Sequence, residues 1–562
     1  MKNSIKFIAV LFLLQISLIG FSQSKVYQQA ISKIDTRAEV YVKIYANPNL
    51  DADILSKISV DNVYYDYVTA YLNLKTLKLV EKNNLKYEII PSAGELYKET
   101  HSAKSYNYNQ YPTYAQYDSL MHAFQLNYPH LCKLYSIGTL NSGKEIFVMK
   151  ISDSVNINKN KPQFFYTSSM HGDELVGYVL MLRLIDYLLS NHNQDSLVSH
   201  LMANVEIYIN PLANPNGAYY NSNNSVSGAI RFNLNGIDLN RNFPDPKNGA
   251  HPDGNAWQEE TNIFMGFADT MDFVLSSNIH GGAEVFNYPW DTWSRRAADD
   301  LWWQHQGHAY VDTVHKYSPA NYFIGFNNGI TNGYDWYPVA GGRQDYMNYF
   351  HKCREMTLEV SDVKLPSAST LDDFWQYNYR SLLNYINSIT KGLKGYVSDS
   401  ATTNPIRAKV RILNYDKDSS FVYSDVNTGI YHRMLITGYY NFEFSSSNYK
   451  TKIIDSVYVN SDSLSILNVE LAKKPNSIPE FDIDQIEVYP NPFESEIKVD
   501  LKSDFSEYRI SVFDINSRLV EEFEIKNQKN FKIIGEKYKP GVYFLQVKCG
   551  EKLIIRKKII KI

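Results

Sequence analysis

The sequence predicts an α/β protein with a mixed central sheet flanked by helices, preceded by a small α/β module and followed by two small all-β sandwich domains. Three observations predict this. Between residues 107 and 391, strand-like and helix-like segments alternate, the pattern of a sheet covered by helices. After Gly392 the helical periods vanish, and short Val/Ile/Tyr-rich strands separated by turn residues take over. The chain has 562 residues, 44% of them hydrophobic, which is too much globular sequence for one core.

The elements follow in chain order. Lys2 and Lys6, an apolar run from Ile8 to Phe21, and then small and polar residues make residues 1–23 a signal peptide. Residues 24–106 form the accessory or propeptide-like module, with strands expected at Ala38–Tyr45, Tyr64–Tyr71 and Tyr87–Ile90 and a helix at Leu74–Lys82. The polar stretch Thr100–Tyr108 reads as a linker. In the central domain the expected strands are Lys133–Ile137, Ile146–Ile151, Phe164–Ser168, Val205–Ile209, Phe273–Ile279 and Met356–Val360. Helices are expected at Asp173–Ser190 and Asp372–Ile389. Arg183 and Asp186 interrupt the most apolar of these segments, so it reads as a helix with a buried face and no mature transmembrane span is expected. Residues 392–474 and 483–562 are the two β domains, separated by a segment holding Pro475 and Pro479.

Charge and cysteine usage narrow the function classes. A net charge of −4, from 56 basic and 60 acidic residues without a long single-sign run, gives no electrostatic footprint for nucleic acid. A peptide or small-molecule substrate is expected instead. Three cysteines, Cys132, Cys353 and Cys549, do not make a disulfide scaffold. Cys132 and Cys353 fall in one domain and could pair, or both could be buried thiols.

The chemistry begins at HGDE. His171 and Glu174 lie at the end of one strand and at the expected opening turn of the next helix, where positions i and i+3 are close enough to share an ion. Imidazole and carboxylate together suit zinc. His280, ending FVLSSNIH, supplies a third ligand at the same edge of the sheet. Two His and one Glu leave a tetrahedral position open, as catalytic zinc sites do. An isolated H-x-x-E is common without any metal, so the neighbouring motifs matter. In GIDLNRNFPD, Asn240 and Arg241 offer an amide beside a guanidinium, a pair that can hold a substrate carboxylate; a structural Arg is the alternative. Glu359, in MTLEV, is a carboxylate among apolar neighbours, suited by burial to general-base work or else a salt-bridged core residue.

The ordered set YPTYAQYDSL, HGDE, NP-N-G at Asn214–Gly217, GIDLNRNFPD, SSNIHGGAEVFNYPWD, GITNGYDWYPVAGGRQDY and MTLEVSD resembles the zinc metallocarboxypeptidases over about half the chain. Within that family it is most similar to the regulatory branch of carboxypeptidases D, E, M and N. The resemblance implies the metallocarboxypeptidase fold, one Zn2+ per chain on His171, Glu174 and His280, and Glu359 as the base that activates water. It implies that Arg231, in AIRFNLNG, polarises the scissile carbonyl, and that Asn240 and Arg241 hold the terminal carboxylate of a peptide or protein. Tyr337, in WYPVAGG, matches the family's mobile tyrosine; an ordinary packing role is the alternative. Gln344, after GGR, and Asp291, ending YPWD, match the branch that prefers C-terminal Lys or Arg. A buried Asp is costly without a cationic partner, which agrees. Glu284 departs from the branch, where a neutral residue is expected, and Trp290 would narrow the pocket.

Past the central domain, GLKGYVSDS, RAKVRILN and GYYNFEF resemble the transthyretin-like β-sandwich of the regulatory branch, with a structural role. VYPNPFESEIKVDL, YRISVFDINSRLV and KPGVYFLQVKCGEKLIIRKKIIKI resemble the C-terminal sorting domain of the type IX secretion system. A monomer that engages the type IX machinery and ends secreted or attached to the cell surface is therefore expected. Two other readings stay open: a hydrolase of murein peptides on the same fold, and a surface peptide-binding protein without activity.

Overall fold

The computed structural model describes residues 25–98, 106–157, 159–474, 486–501, 507–549 and 552–562. The signal-peptide reading and most of the two linkers lie outside these residues. The described chain forms two compact units: one runs through Val397 and adds Pro405–Glu443 and Ile453–Val469, the other joins Ser398–Asn404, Phe444–Lys452 and Glu470–Ile562. Among the described residues, no helix is long and apolar enough to cross a membrane.

At the heart of the first unit is an eight-stranded mixed sheet. Its strand order is Ile330–Asn332, Ala283–Tyr288, Arg354–Ser361, Phe273–His280, Gln163–Ser168, Glu206–Asn210, Glu145–Ile151, Cys132–Thr139. The inner strands Arg354–Ser361, Phe273–His280, Gln163–Ser168 and Glu206–Asn210 run parallel, and antiparallel neighbours close both sides. Such inner strands are buried on both faces, which is why QFFYTS and FVLSSNIH read as almost unbroken buried runs. The helix Val176–Ser190 buries eleven of its fifteen residues on one face of the sheet, with Leu371–Ser388 beside it in the same core. A second core fills the other face around Phe165, Phe243, Phe264 and Phe273. Because the inner strands are parallel, Ser168, His280 and Ser361 all end at one edge, where ligands gather.

The N-terminal module is an antiparallel sheet in the order Ser59–Val63, Tyr67–Leu72, Val40–Tyr45, Tyr87–Ile89, with the helices 25–37 and Leu74–Lys82. The helix 25–37 and the strand Ser59–Val63 were not among the expected elements. Their core is the module's own, centred on Val42, Ile44, Ala70 and Leu77. The module also touches the central domain backbone to backbone. A Cβ on Gly94 would lie 2.0 Å from the Ala229 oxygen, so only glycine permits this approach.

Beyond Gly392 the three marker segments are strands, Gly392–Asp399, Lys409–Ile412 and Gly438–Ser445. Gly392–Asp399 pairs antiparallel with Ile430–Arg433 and parallel with Leu464–Ile466. In the second unit, a three-stranded sheet (Ile486–Tyr489, Glu496–Leu501, Asn530–Ile534) and a four-stranded one (Leu519–Lys526, Glu507–Phe513, Gly541–Cys549, Lys552–Lys561) share a core of Val499, Ile510, Val512, Leu545 and Val547. Two sheets on one shared core make the sandwich expected for this part of the chain.

Two expectations on the central domain are refined. Cys132 and Cys353 are both buried and both free. The helix after HGDE starts at Val176, so His171 and Glu174 precede it rather than sitting on its first turn. The Glu174 N–H donates to the His171 carbonyl at 3.2 Å, and this turn brings the two side chains together as a helical turn would.

Candidate metal centre

Three elements meet at the sheet edge. The HGDE turn carries His171 and Glu174, and the last residue of Phe273–His280 carries His280. Glu359 stands opposite His280 in the parallel register of the adjacent strand. One ligand atom from each of His171, Glu174 and His280 lies within 4.8 Å of the others, and all three residues are buried. His171 Nδ1 is 3.0 Å from Glu174 Oε1 and 3.0 Å from His280 Nδ1, while His280 Nδ1 is 2.8 Å from Glu174 Oε2.

Two imidazole nitrogens facing each other at hydrogen-bond distance cannot both carry protons, and whichever is left without one turns its lone pair on an oxygen of the Glu174 carboxylate. A cation between them and the carboxylate removes the conflict, so this donor set fits a metal ion, and two nitrogens with one oxygen suit zinc. The second nitrogen of His171, Nε2, is 3.0 Å from Asp238 Oδ1, a carboxylate placed to fix the ring's tautomer and orientation. Burial pushes His280 down to about 4, so its ring is neutral at pH 7 and free to ligate. Burial alone would raise Glu174, but His171, Lys364 and His280 outweigh it and hold this carboxyl well below the usual range.

Around the triad the cleft is lined by charged and polar groups. Arg231 Nη1 donates to Glu174 Oε1 at 2.8 Å and Arg231 Nε approaches Asp238 Oδ2 at 3.3 Å. Arg241 spends Nη1 on the Asn240 carbonyl at 2.9 Å, and its buried Nε–H has no partner. Asn240 Oδ1 accepts from the Arg343 backbone N–H at 2.9 Å, which fixes the amide beside Arg241. Glu359 Oε2 likewise has no partner. Burial first, and then the nearby Glu174 charge, push the Glu359 carboxyl well above its ordinary range. Tyr337 follows the short helix Gly333–Trp336 and lines the same cleft.

Asp291 lines the same cleft and Gln344 is hydrogen-bonded to it. Gln344 Nε2 donates to Asp291 Oδ1 at 2.9 Å, and Gln344 Oε1 accepts from the Thr357 N–H at 2.7 Å, so the amide's orientation is set by the backbone. Asn287 Nδ2 also donates to Asp291, at 3.3 Å. Gly333 keeps the floor open: a Cβ there would lie 1.7 Å from Asp291 Oδ1. Nine of the ten site residues named from the sequence therefore line one cleft, and the tenth, Gln344, is hydrogen-bonded to Asp291 in its wall.

Sequence reasoning missed several others. Asp238 sits inside the quoted GIDLNRNFPD, two residues before Asn240, and Lys364 sits five residues after Glu359; neither was singled out. Lys364 Nζ is 2.5 Å from Glu174 Oε1. Asp61 lies at 2.7 Å from the same ammonium. Trp336 lines the cleft, whereas Trp290 packs in the interior on Trp293 and Tyr349. The departure at Glu284 has a local cause: its Oε2 accepts from the Phe323 N–H at 3.0 Å and so holds a loop.

A zinc carboxypeptidase family profile matches residues 117–381, and a profile for the secretion system C-terminal sorting domain matches residues 487–561. Carboxypeptidase SOL1 of Arabidopsis thaliana is 35% identical over 349 residues, 61% of this chain and 68% of that protein. The chain belongs to the zinc carboxypeptidase family. The human carboxypeptidase N catalytic chain is 31% identical over 411 residues, 65% of this chain and 86% of its own. Mouse carboxypeptidase D is 33% identical over 66% of this chain, which spans only 27% of that longer relative. As a member of the family the chain is a metallocarboxypeptidase-type hydrolase with a type IX sorting domain at its end.

Proposed function

We propose that this protein is a secreted carboxypeptidase that binds one Zn2+ per chain and removes a single residue, by preference Lys or Arg, from the C-terminus of peptides or proteins. The observation that carries the reading is the set of unspent groups in one cleft: a guanidinium with a free buried N–H at Arg241, a carboxylate with a free oxygen at Glu359, and the three convergent ligands between them. When bound, zinc supplies Lewis-acid polarisation of the scissile carbonyl and of water. His171, Glu174 and His280 would hold it.

The chain's own residues account for the rest. Arg241 and Asn240 pair with the terminal carboxylate, which makes the enzyme an exopeptidase, because a chain without a free end leaves Arg241 unpaired in a buried site. Arg231 is fixed by two carboxylates and presents a permanent positive charge where an oxyanion develops. Glu359 takes the proton from water and later returns it to the leaving amine; burial, which pushes its carboxyl above the usual range, makes it a stronger base than a solvated carboxylate. Tyr337 closes over the bound peptide. Asp291, oriented by Gln344 and Asn287, receives the cationic side chain at the floor of the pocket. The sorting domain directs the protein through the type IX route to the outside or to the cell surface, as a monomer. The strands after Gly392 act as a transthyretin-like structural domain, and the N-terminal module acts as an accessory or propeptide-like domain.

The test is mass spectrometry of peptides that differ only in the last residue (Lys, Arg, Phe, Leu, Glu), with and without a zinc chelator. Loss of only Lys and Arg, abolished by the chelator, is the expected outcome. Shortening of none of them overturns the exopeptidase reading and favours a murein substrate or a binding role.

A further inference from the structure

A second cavity lies at the opposite edge of the sheet from the metal centre. Gln163, Phe273 and Arg354, each the first residue of an inner parallel strand, line it from the central domain. Tyr423, Tyr431 and His432 line it from the strands Val422–Tyr423 and Ile430–Arg433, and all six residues belong to the first unit. This groove has a volume of about 540 Å³, the size of a small-molecule site.

Most of the charges around the groove are already answered. Lys161 Nζ is 2.5 Å from Asp153 Oδ1, and Arg354 Nη2 is 2.8 Å from Asp299 Oδ2. Asp269 Oδ1 is 3.7 Å from His351 Nε2. The Asp272 and Asp425 side chains hydrogen-bond each other, which takes one shared proton, and Arg407 offsets the charge they keep.

Two cations are left over at one end. Lys352 Nζ donates to the Tyr349 carbonyl and to the Ser419 hydroxyl, both at 2.5 Å, and neither of these carries charge. Lys409 stands opposite Tyr423 in the strand register. Its ammonium lies 3.8 Å from the centre of the Phe421 ring, and Lys352 lies 5.1 Å from the same ring. Among the described residues, no carboxylate forms an ion pair with either lysine. Burial, with Arg354 and Lys409 close by, pushes the Lys352 ammonium down to about 8, as an excess of positive charge would.

The rest of the lining suits a flat, partly apolar body. Tyr423 and Phe350 remain 42% and 43% exposed, while Phe273, Tyr431 and Met434 are buried beside the same space. His432 has no side-chain hydrogen bond among the described residues, and burial pushes its ring down to about 3. It is therefore a neutral imidazole with a donor and an acceptor to offer.

We propose that this groove is a second ligand site, independent of the metal centre, which takes a small aromatic oxyanion. Its carboxylate or phosphate meets Lys352 and Lys409, and its ring lies against Tyr423 and Phe350. The excess ammonium charge selects the anion, and the exposed rings select the aromatic body. Neither feature depends on the exopeptidase reading.

The experiment is isothermal titration of the full zinc-loaded chain with 3-phenylpropionate, phenyl phosphate, acetate and 3-phenylpropanol. The first two are expected to bind, and the tighter of them identifies the anionic group the site prefers. Acetate lacks the ring and 3-phenylpropanol lacks the charge, so each should bind about tenfold or more weakly. Lys352→Met should weaken 3-phenylpropionate about tenfold, and Lys352→Arg should retain most of the affinity. Tyr423→Ala acts from the other wall and should weaken it severalfold, which keeps the test open should Lys352→Met fold poorly. Arg241 also offers a carboxylate site, so the titrations are repeated with Arg241→Ala. Binding that survives Lys352→Met and Tyr423→Ala but is lost with Arg241→Ala belongs to the metal centre and overturns the proposal. So does equal binding of 3-phenylpropionate and acetate, or no binding of either aromatic anion.

Discussion

Two buried charge clusters in the first unit are built from the same residue types and behave differently. At the contact between the central domain and the strands beyond Gly392, Asp299 accepts from Arg354 at 2.8 and 3.1 Å and from Arg433 at 3.0 Å. Its other oxygen pairs with Arg433 at 2.8 Å and Tyr415 at 3.2 Å. Arg433 turns also to Asp416, at 2.8 Å, so two guanidinium and two carboxylate groups close on themselves, leaving one buried donor, Arg433 Nε–H, without a partner. At the metal centre, Glu359 Oε2, Arg241 Nε and His280 Nε2 all lack partners. A cluster that holds domains together ends its hydrogen bonds internally; one that handles a substrate keeps ends open and accepts the cost. Burial and charge alone do not distinguish the two.

The sharpest way to break this comparison is to remove one open end. Glu359→Gln preserves shape and removes the base, so kcat on an arginine-ended peptide is expected to fall by about 10²–10⁴-fold, with zinc content unchanged by atomic absorption. Retained activity would mean that the open carboxylate is a bystander. The corresponding change in the closed cluster, Asp299→Ala, strands two buried guanidinium groups and should lower unfolding stability by about 3–5 kcal/mol in urea titration. The folded fraction should still bind zinc. If Asp299→Ala instead left stability intact and removed zinc, the division between the two clusters would be wrong.

A third change lies on the border of the two kinds. Asp238 is fully engaged, with His171, Arg231 and the Asn240 N–H, yet its role is to aim a metal ligand. Asp238→Asn should weaken zinc affinity about 10–100-fold, measured by competition with a chromogenic chelator, while leaving the melting temperature of the chelated protein within a few degrees. An unchanged affinity would make Asp238 a structural partner of Arg231 alone.

What could be read from the sequence follows the same division. His171, Glu174, His280, Asn240, Arg241 and Glu359 stand in short motifs whose chemistry is local, and all of them border the cleft. The alternation of segments was enough to predict the sheet, since each buried strand is a run such as QFFYTS. Asp61 was not legible because its aim depends on a bulge, and a one-residue change of register reverses which face a side chain takes. Lys364 was not legible because its partners, Glu174 and Asp61, come from chain segments about 190 and 300 residues away, a pairing that only the folded sheet edge creates. Glu284 misled for a related reason: strand alternation puts its neighbour Val285 opposite Glu359 in the register, and Glu284 itself turns to the loop at Phe323.

The smallest expected effect concerns the pocket's own charge. Burial, opposed by the hydrogen bond from Asn287 and the charge of Arg241, pushes Asp291 up to about 7. Asp345 beside it is pushed well above the usual carboxylate range by burial and by Asp291, so Asp291 is the member of the pair that ionises first. A protonated Asp291 cannot pair with a lysine or arginine side chain. The ratio of kcat/KM for an arginine-ended peptide to that for a leucine-ended one should therefore fall about tenfold for each pH unit below 7 and level off above it. The ratio cancels the titration of Glu359 and the metal ligands, which serve both peptides alike. For stability the sign reverses: between its unfolded pKa, about 4, and its folded value, the folded chain binds more protons, so the contribution of Asp291 is present at low pH and is lost as pH rises toward 7. An empty protein that grows less stable over the range in which it grows more selective would tie both effects to one carboxyl, and Asp291→Asn should flatten the two profiles together. A ratio that stays constant from pH 6 to 8 would show that Asp291 does not meet the cationic side chain.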